Sequence, residues 1–316
     1  MAGANLPAKK YKKTAPTQLR LSFEFTGNTT RFIDIAYALS IINRKFYRQG
    51  VYYYVNSVEF FNDGEAYCDL HTLPDNWVTK NAWNRGFRMF QQMNGMVDQT
   101  TAMGRPKYHD FKIYMSELHQ QTGSTVPSLH GINAISQTLG ADDWDYSQYV
   151  SADDDQDGVA NADEFYAHMI GNHQGSANNW ISIGLIKSYA DTRHQPQVET
   201  PVVNDGGTLV TDPLANLFDF SSEEQMNDII ENLADANDET PYNADFYVGE
   251  AANNMQHVAR LVTTTSIGRV AKAPGFCAPF GLICVDPDQL TGAEDKYRIV
   301  INLAPGTYHG VYAERA

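Results

Sequence analysis

"VYYYVNSVEFF", residues 51–61, is aromatic and β-branched from end to end, which suits a half-buried pleated surface. Asn62-Asp63-Gly64 follows, and then "AYCDLHTL" at 66–73. Two β-rich runs around an Asp-Gly pair predict a β-hairpin closed by a tight turn. Working outward, "QLRLSFEF" (18–25) puts Leu19, Leu21, Phe23 and Phe25 on one parity and Arg20, Ser22 and Glu24 on the other. "KYRIVINL" (296–303) alternates in the same way, with Tyr297, Ile299, Ile301 and Leu303 on one side. "HVARLVTTTSI" (257–267), "FGLICV" (280–285), residues 110–115 and the Trp144, Tyr146, Gln148, Val150 parity of 144–150 complete the predicted strands.

Helical spacing is confined to the connections. It covers Ile35–Tyr47, and 79–95 with Thr79 as N-cap and Trp83, Phe87, Phe90 and Met93 as a core stripe. Trp180–Tyr189 reads as a short helix. Another helix should follow the capping box of Ser221, Ser222, Glu224 and Gln225, burying Met226, Ile229, Ile230 and Leu233. A Pro/Gly-rich connection spans 194–213. Strands punctuated by turns, with helices in the loops, predict an all-β fold, a jelly-roll β-sandwich with helices inserted in its connecting loops. No internal repeat or sharp linker divides residues 18–316, which are expected to form a single domain.

The chain has 316 residues, 42% hydrophobic and 12% aromatic, enough to bury a real core. No apolar run is long enough for a transmembrane helix, and no membrane partner is expected. The N-terminus is basic without an apolar segment, so no secretory signal is expected, and the Asn28-Thr29-Thr30 sequon reads as accidental. Cys68, Cys277 and Cys284 are an odd set, expected as free buried thiols. The formal net charge is −15, yet residues 1–17 carry Lys9, Lys10, Lys12 and Lys13 and no acid, leaving −19 on the rest. A short basic arm on an acidic body fits contact with nucleic acid by the arm alone.

Catalytic signatures are absent: there is no phosphate-binding glycine loop, no H-E-x-x-H and no nucleophile elbow. His168 and His173, five apart, read as core or polar histidines, and Asp142-Asp143 is too common a pair in an acidic chain to be a dyad. The chain is therefore not expected to be an enzyme. One local pattern is sharp. "DDDQDGVANADE" (153–164) has the spacing of a calcium loop: Asp153, Asp155 and Asp157 as alternate carboxylates, Val159 through its carbonyl, Asn161 directly or through water, and Glu164 closing the shell. Gly158 permits the bend. The preceding "DWDYSQYV" alternates like a strand, and no second loop of this kind is present. The reading is a single structural calcium site between strands, not a sensor.

Several stretches resemble capsid proteins of small circular single-stranded DNA viruses. They are "LPDNWVTKNAWNRGFRMFQQMN" (73–94), "YHDFKIYM" (108–115), "HMIG" (168–171), "ISIGLIKSYADTR" (181–193), "FDFSSEEQMNDIIENLADANDETPY" (218–242), "TTTSIGR" (263–269), "PGFCAPFGLICV" (274–285) and "INLAPGTYHGVYAE" (301–314). The resemblance implies a jelly-roll coat protein of the virion that self-assembles as a homo-oligomeric icosahedral shell around a single-stranded DNA genome. It implies an internal N-terminal arm and a host receptor that the sequence does not identify. Arms in that family are often longer and Arg-rich, and the calcium loop lies outside the resemblance. Two rival classes differ in what they require. A secreted or surface calcium-binding β-sandwich, an adhesin or carbohydrate-binding module, calls for an export signal and no basic arm. An enzyme of the cupin kind calls for a His/Glu metal cluster on the strands.

Overall fold

The computed structural model describes residues 16–100, 110–121, 128–130, 136–137, 144–151, 163–176, 179–193, 226–227, 230–231, 233, 247–264, 268–291 and 296–316. The chain divides into two units, residues 1–189 with 248–316, and residues 190–247.

Two antiparallel sheets of the first unit share one core. The first contains β1 (Arg20–Thr26), β3 (Val51–Asn62), β13 (Val270–Ala273) and β16 (Lys296–Leu303), in the order β13, β3, β16, β1. β6 (Ser128–His130) and β7 (Ser136–Gln137) extend it beyond β1, while β14 (Phe276–Ala278) and β18 (Ala313–Arg315) pair with the free stretches of β3. The second sheet contains β2 (Arg31–Asp34), β4 (Glu65–Thr72), β12 (Gln256–Thr263) and β15 (Leu282–Thr291), in the order β12, β4, β15, β2. The pairs are nested: β1 with β16, β2 with β15, β3 with β13 and β4 with β12. Each of the steps β1 to β2, β3 to β4, β12 to β13 and β15 to β16 changes sheet. Leu21, Phe23, Val58, Phe60, Ile299 and Ile301 from one sheet meet Ile33, Cys68, Leu70, Ile283 and Val285 from the other, all essentially inaccessible to solvent.

The predicted hairpin at 62–64 does not form. β3 and β4 are both present, but they lie in different sheets and share no ladder. The reason is in the turn. A two-residue hairpin of the Asp-Gly type needs positive φ at both central residues, and neither Asp63 nor Gly64 has it. Instead the Asn62 side chain accepts from the Gly64 N–H at 2.7 Å and donates to the Lys296 carbonyl at 3.1 Å, holding a corner that carries the chain across the core. A bulge in β3 places Val55 opposite Leu303 and Ser57 opposite Asn302, skipping Asn56. Parity flips there, so Val51, Tyr53 and Val55 point into the core before the bulge, and Val58 and Phe60 after it.

The connections carry the helices. α1 (Ile35–Asn43) joins β2 to β3, while α2 (Trp77–Thr100), α3 (Glu117–Gln121) and α4 (Leu185–Asp191) fall between β4 and β12. That same connection holds a third sheet, of β5 (Tyr114–Ser116), β8 (Gln148–Ser151), β9 (Asp163–Ile170), β10 (Gln174–Ser176) and β11 (Asn179–Gly184). It is mixed, because β9 runs parallel to both β5 and β11. Four helical expectations need correction. α1 ends at Asn43, not Tyr47: Arg44 turns left-handed at φ 51°, and Tyr47 is buried with its hydroxyl on the His309 carbonyl. The cap of α2 is Asn76, whose Oδ1 accepts from the Thr79 N–H at 2.8 Å, so Thr79 is already helical. Residues 179–184 are a strand, because Ser182–Gly184 find parallel partners on β9, and the helix starts only at Leu185. In the second unit, Met226, Ile230 and Leu233 are helical but exposed, at 37, 55 and 58%. A lone amphipathic helix buries its stripe only against another element. Ser221, Ser222, Glu224, Gln225 and Ile229 of that motif, and the 194–213 connection, lie outside the described residues. No helix among the described residues is long and apolar enough to cross a membrane.

A buried side chain, Gln49, bonds the insertion to the core, beside the ring contacts of Phe32 with His119 and Tyr37 with Trp144. The Gln49 Nε2 donates to Asp34 Oδ2 at 3.0 Å and to the Ile113 carbonyl at 2.9 Å, and its Oε1 accepts from the Ile113 N–H at 2.7 Å. Asp34 also caps α1, accepting from the Tyr37 N–H at 3.1 Å. Burial raises the Asp34 carboxyl to about 6, against the opposing pull of these hydrogen bonds and of Lys112. With the folded value above the unfolded one of 3.8, the native state holds the extra proton between pH 4 and 6. Stability from this group is therefore present at low pH and lost as pH rises through that window. Urea unfolding of wild type and Asp34→Asn should show the wild type losing about 3 kcal/mol relative to the variant between pH 4 and 7.

Candidate functional site

At one end of the sandwich the chain leaves α1 through "RKFYRQG" (44–50) and opens a cleft of about 1470 Å³. Its walls are α1, residues 44–51, α2, residues 110–112, Trp144 and the segment 308–316. Five cations line it, Arg44, Lys45, Arg48, Lys112 and Arg315, against two acids, Asp110 and Glu314. That balance is the reverse of the whole chain's.

Several cations elsewhere on the first unit are paired. Arg20 and Lys272 pair with Glu59, Arg260 with Asp69, Arg269 with Asp63, and Arg298 with Glu24. Arg44, Arg48 and Arg315 are exposed and make no ion pair among the described residues. Lys112 lies 4.3 Å over the Trp144 ring, and its burial pulls the ammonium below its ordinary value.

Aromatic rings form the floor. Trp144 stacks on Tyr37 at 5.2 Å and leans on Phe46 at 6.2 Å. Trp83 stacks on Phe87 at 5.0 Å and on Phe280 at 5.3 Å. Both indoles are more than nine-tenths buried, and neither Nε1–H group has a hydrogen-bond partner among the described residues. A buried donor left unpaired costs about 1–3 kcal/mol. The three non-glycine residues with positive φ among those described, Arg44, Phe280 and His309, all belong to this cleft or pack directly behind it. Such conformations are uncommon and concentrate at functional sites.

The N-terminal segment enters the body at the rim. Lys45 Nζ donates to the Pro16 carbonyl at 3.3 Å, Thr17 Oγ1 to the His309 carbonyl at 2.8 Å, and the Gln18 N–H to Asn43 Oδ1 at 2.7 Å. Lys9, Lys10, Lys12 and Lys13 themselves lie outside the described residues.

The calcium pattern falls between adjacent antiparallel strands, with Ser151 opposite Asp163 and Val150 opposite Glu164. Asp153, Asp155, Asp157, Val159 and Asn161 lie outside the described residues, while Glu164 is an exposed residue of β9. Among the described residues no three His, Cys, Asp or Glu side chains gather at one point. His168 is fully buried: Nε2 donates to the Asn172 carbonyl at 2.9 Å, so Nδ1 accepts from the Ser182 hydroxyl at 2.7 Å. Burial lowers it to about 4, and lowers His119, beneath Phe32, to about 3. His173 accepts from the Gly184 N–H at 3.1 Å. Both histidines of the 168/173 pair are structural here. Cys68 and Cys284 are free and buried; Cys277 is free but only half-buried.

The sequence reading missed the cleft. Its signal was "RKFYR" (44–48), three cations interleaved with two aromatics, hidden inside an apparent helix. Trp144, Lys112 and Arg315 carry no sequence signal, since only folding brings them there. No protein-family model, curated protein or solved structure matches this chain. The cleft depends on a close approach at Gly50, where a Cβ would meet Trp83 Cζ2 at 2.5 Å. Gly50→Ala should destabilise the protein by about 1–3 kcal/mol in urea unfolding and shift the tryptophan emission. Adding Trp83→Phe should recover part of that loss.

Proposed function

We propose that this chain is the coat protein of a single-stranded DNA virus, built on a jelly roll and assembling into a closed icosahedral shell. The observation that carries the reading is the nested strand order. Eight strands are paired first to last, second to seventh, third to sixth and fourth to fifth, and folded over so that the eighth meets the third and the seventh the fourth, a pairing that supports the jelly-roll reading. That architecture is used by capsid and lectin domains and by cupins. The resemblance of "PGFCAPFGLICV" and "INLAPGTYHGVYAE" to coat proteins favours the first of these. So does an arm bearing four lysines on an otherwise acidic chain. Edge strands β2 and β12 and the helices between β4 and β12 supply the contact surfaces, and repetition of one interface ends growth only when its rotations close.

The loop of Asp153, Asp155, Asp157, Val159, Asn161 and Glu164 holds a structural calcium in this reading. Strand pairing at Ser151 and Asp163 fixes both ends, so metal binding orders fewer free residues. Clustered carboxylates repel unless a cation neutralises them. With strands rather than helices on both sides, calcium stabilises without driving a helix opening.

Purified protein should give particles of uniform size by size exclusion and negative-stain microscopy. Monomers or dimers alone, across salt and calcium conditions, would refute the reading. Calcium at 100 times its dissociation constant should stabilise the native state by about 2.7 kcal/mol, seen as a higher melting temperature than in chelator. Asp157→Ala with Glu164→Ala should abolish the difference, and calorimetry should find one ion per chain.

A further inference from the structure

The coat-protein reading assigns nucleic acid to the N-terminal lysines, but the cleft has the stronger chemistry. We infer that it binds a segment of single-stranded nucleic acid, with phosphates on Arg44, Arg48 and Arg315 and bases against the half-buried rings of Phe46, Phe87 and Tyr308. The inference rests on that reading for the identity of the occupant, and on the residues for its location.

Four observations converge. The three arginines have no acidic partner among the described residues, whereas Arg20, Arg260, Arg269 and Arg298 each face a carboxylate. A chain of net charge −15 repels a polyanion everywhere except where cations concentrate. The half-buried rings of Phe46, Phe87 and Tyr308 line the same cleft, and aromatic faces are stacking platforms for unpaired bases. The volume of about 1470 Å³ exceeds the ~300–1,000 Å³ usual for a small-molecule pocket, which suits several nucleotides better than one metabolite.

The combination also selects the type of strand. Cations along a groove with rings for stacking are the features that hold single strands, because unpaired bases can turn onto an aromatic face and paired ones cannot. Arg forks match phosphate oxygens in pairs.

The test uses the full chain in four forms: wild type, the arm variant Lys9, Lys10, Lys12 and Lys13→Ala, the cleft variant Arg44, Arg48 and Arg315→Ala, and both combined. Binding of fluorescein-labelled oligothymidylate is followed by anisotropy across salt, with quenching of intrinsic tryptophan emission as a second readout. The arm variant should still bind and quench, with log affinity falling against log salt at a slope of about −2 for three phosphate contacts. The cleft variant should lose the quenching, and the combined variant should lose binding. The inference is overturned if the arm variant no longer binds, or if the combined variant binds with the slope of the arm variant. It is also overturned if inorganic polyphosphate quenches the indoles as strongly as the oligonucleotide, since that ligand has no bases. Arg48→Glu alone should act in the same direction and guards against misfolding of the triple variant. Particle formation is scored on the same preparations. Shells with an inert cleft would sink this inference and spare the coat-protein reading; a binding cleft without shells would do the opposite.

Discussion

Gln49 is the side chain on which the arrangement turns. Its amide takes both the N–H and the carbonyl of Ile113, as a neighbouring strand would, and it also donates to Asp34. All three groups are buried, so losing the amide would strand a backbone donor, a backbone acceptor and a carboxylate together, each at about 1–3 kcal/mol. Asp34 in turn caps α1, and α1 leads directly into residues 44–50. Gln49 thus links the backbone at Ile113, the cap of α1 and the segment that opens the cleft.

Around that point the sandwich solves a topological problem. A long strand that turned back on itself at residues 62–64 would leave the second sheet without its centre. The Asn62 corner prevents this by spending its side chain on Gly64 and Lys296 rather than on a tight turn. Thr263 then donates to the carbonyls of Gly64 and Ala66, binding the corner to β12. The bulge at Asn56 lets one strand serve four partners, β13, β14, β16 and β18, while keeping an apolar face inward on both sides of the kink.

The cleft departs from the rest of the surface in electrostatics and in conformation at once. Arg44 occupies the left-handed position that glycine usually takes at a helix C-terminus, and His309, in a turn across the opening, is also left-handed at φ 50°. Elsewhere in the first unit, acids lie beside bases across neighbouring strands. Here arginines and indole N–H groups without partners among the described residues coincide with left-handed backbone at Arg44 and His309, and such local cost has to be held in place by the surrounding packing.

Alternation by itself determined the strands: Leu21, Phe23 and Phe25 face the core because period two places them there, and Tyr297 to Leu303 follow the same rule. The clustering of lysines at 9–13 and of carboxylates at 153–164 also belongs to the sequence alone, since charge spacing needs no fold to be read. Tertiary structure alone decided which strands pair, because alternation gives a face but no partner, and the Asp-Gly turn misled until the backbone at 63–64 was seen to avoid positive φ. It also decided the cleft. Arg44 and Arg315 are 271 residues apart in sequence, and only the pairing of β18 with β3 brings the second to the first.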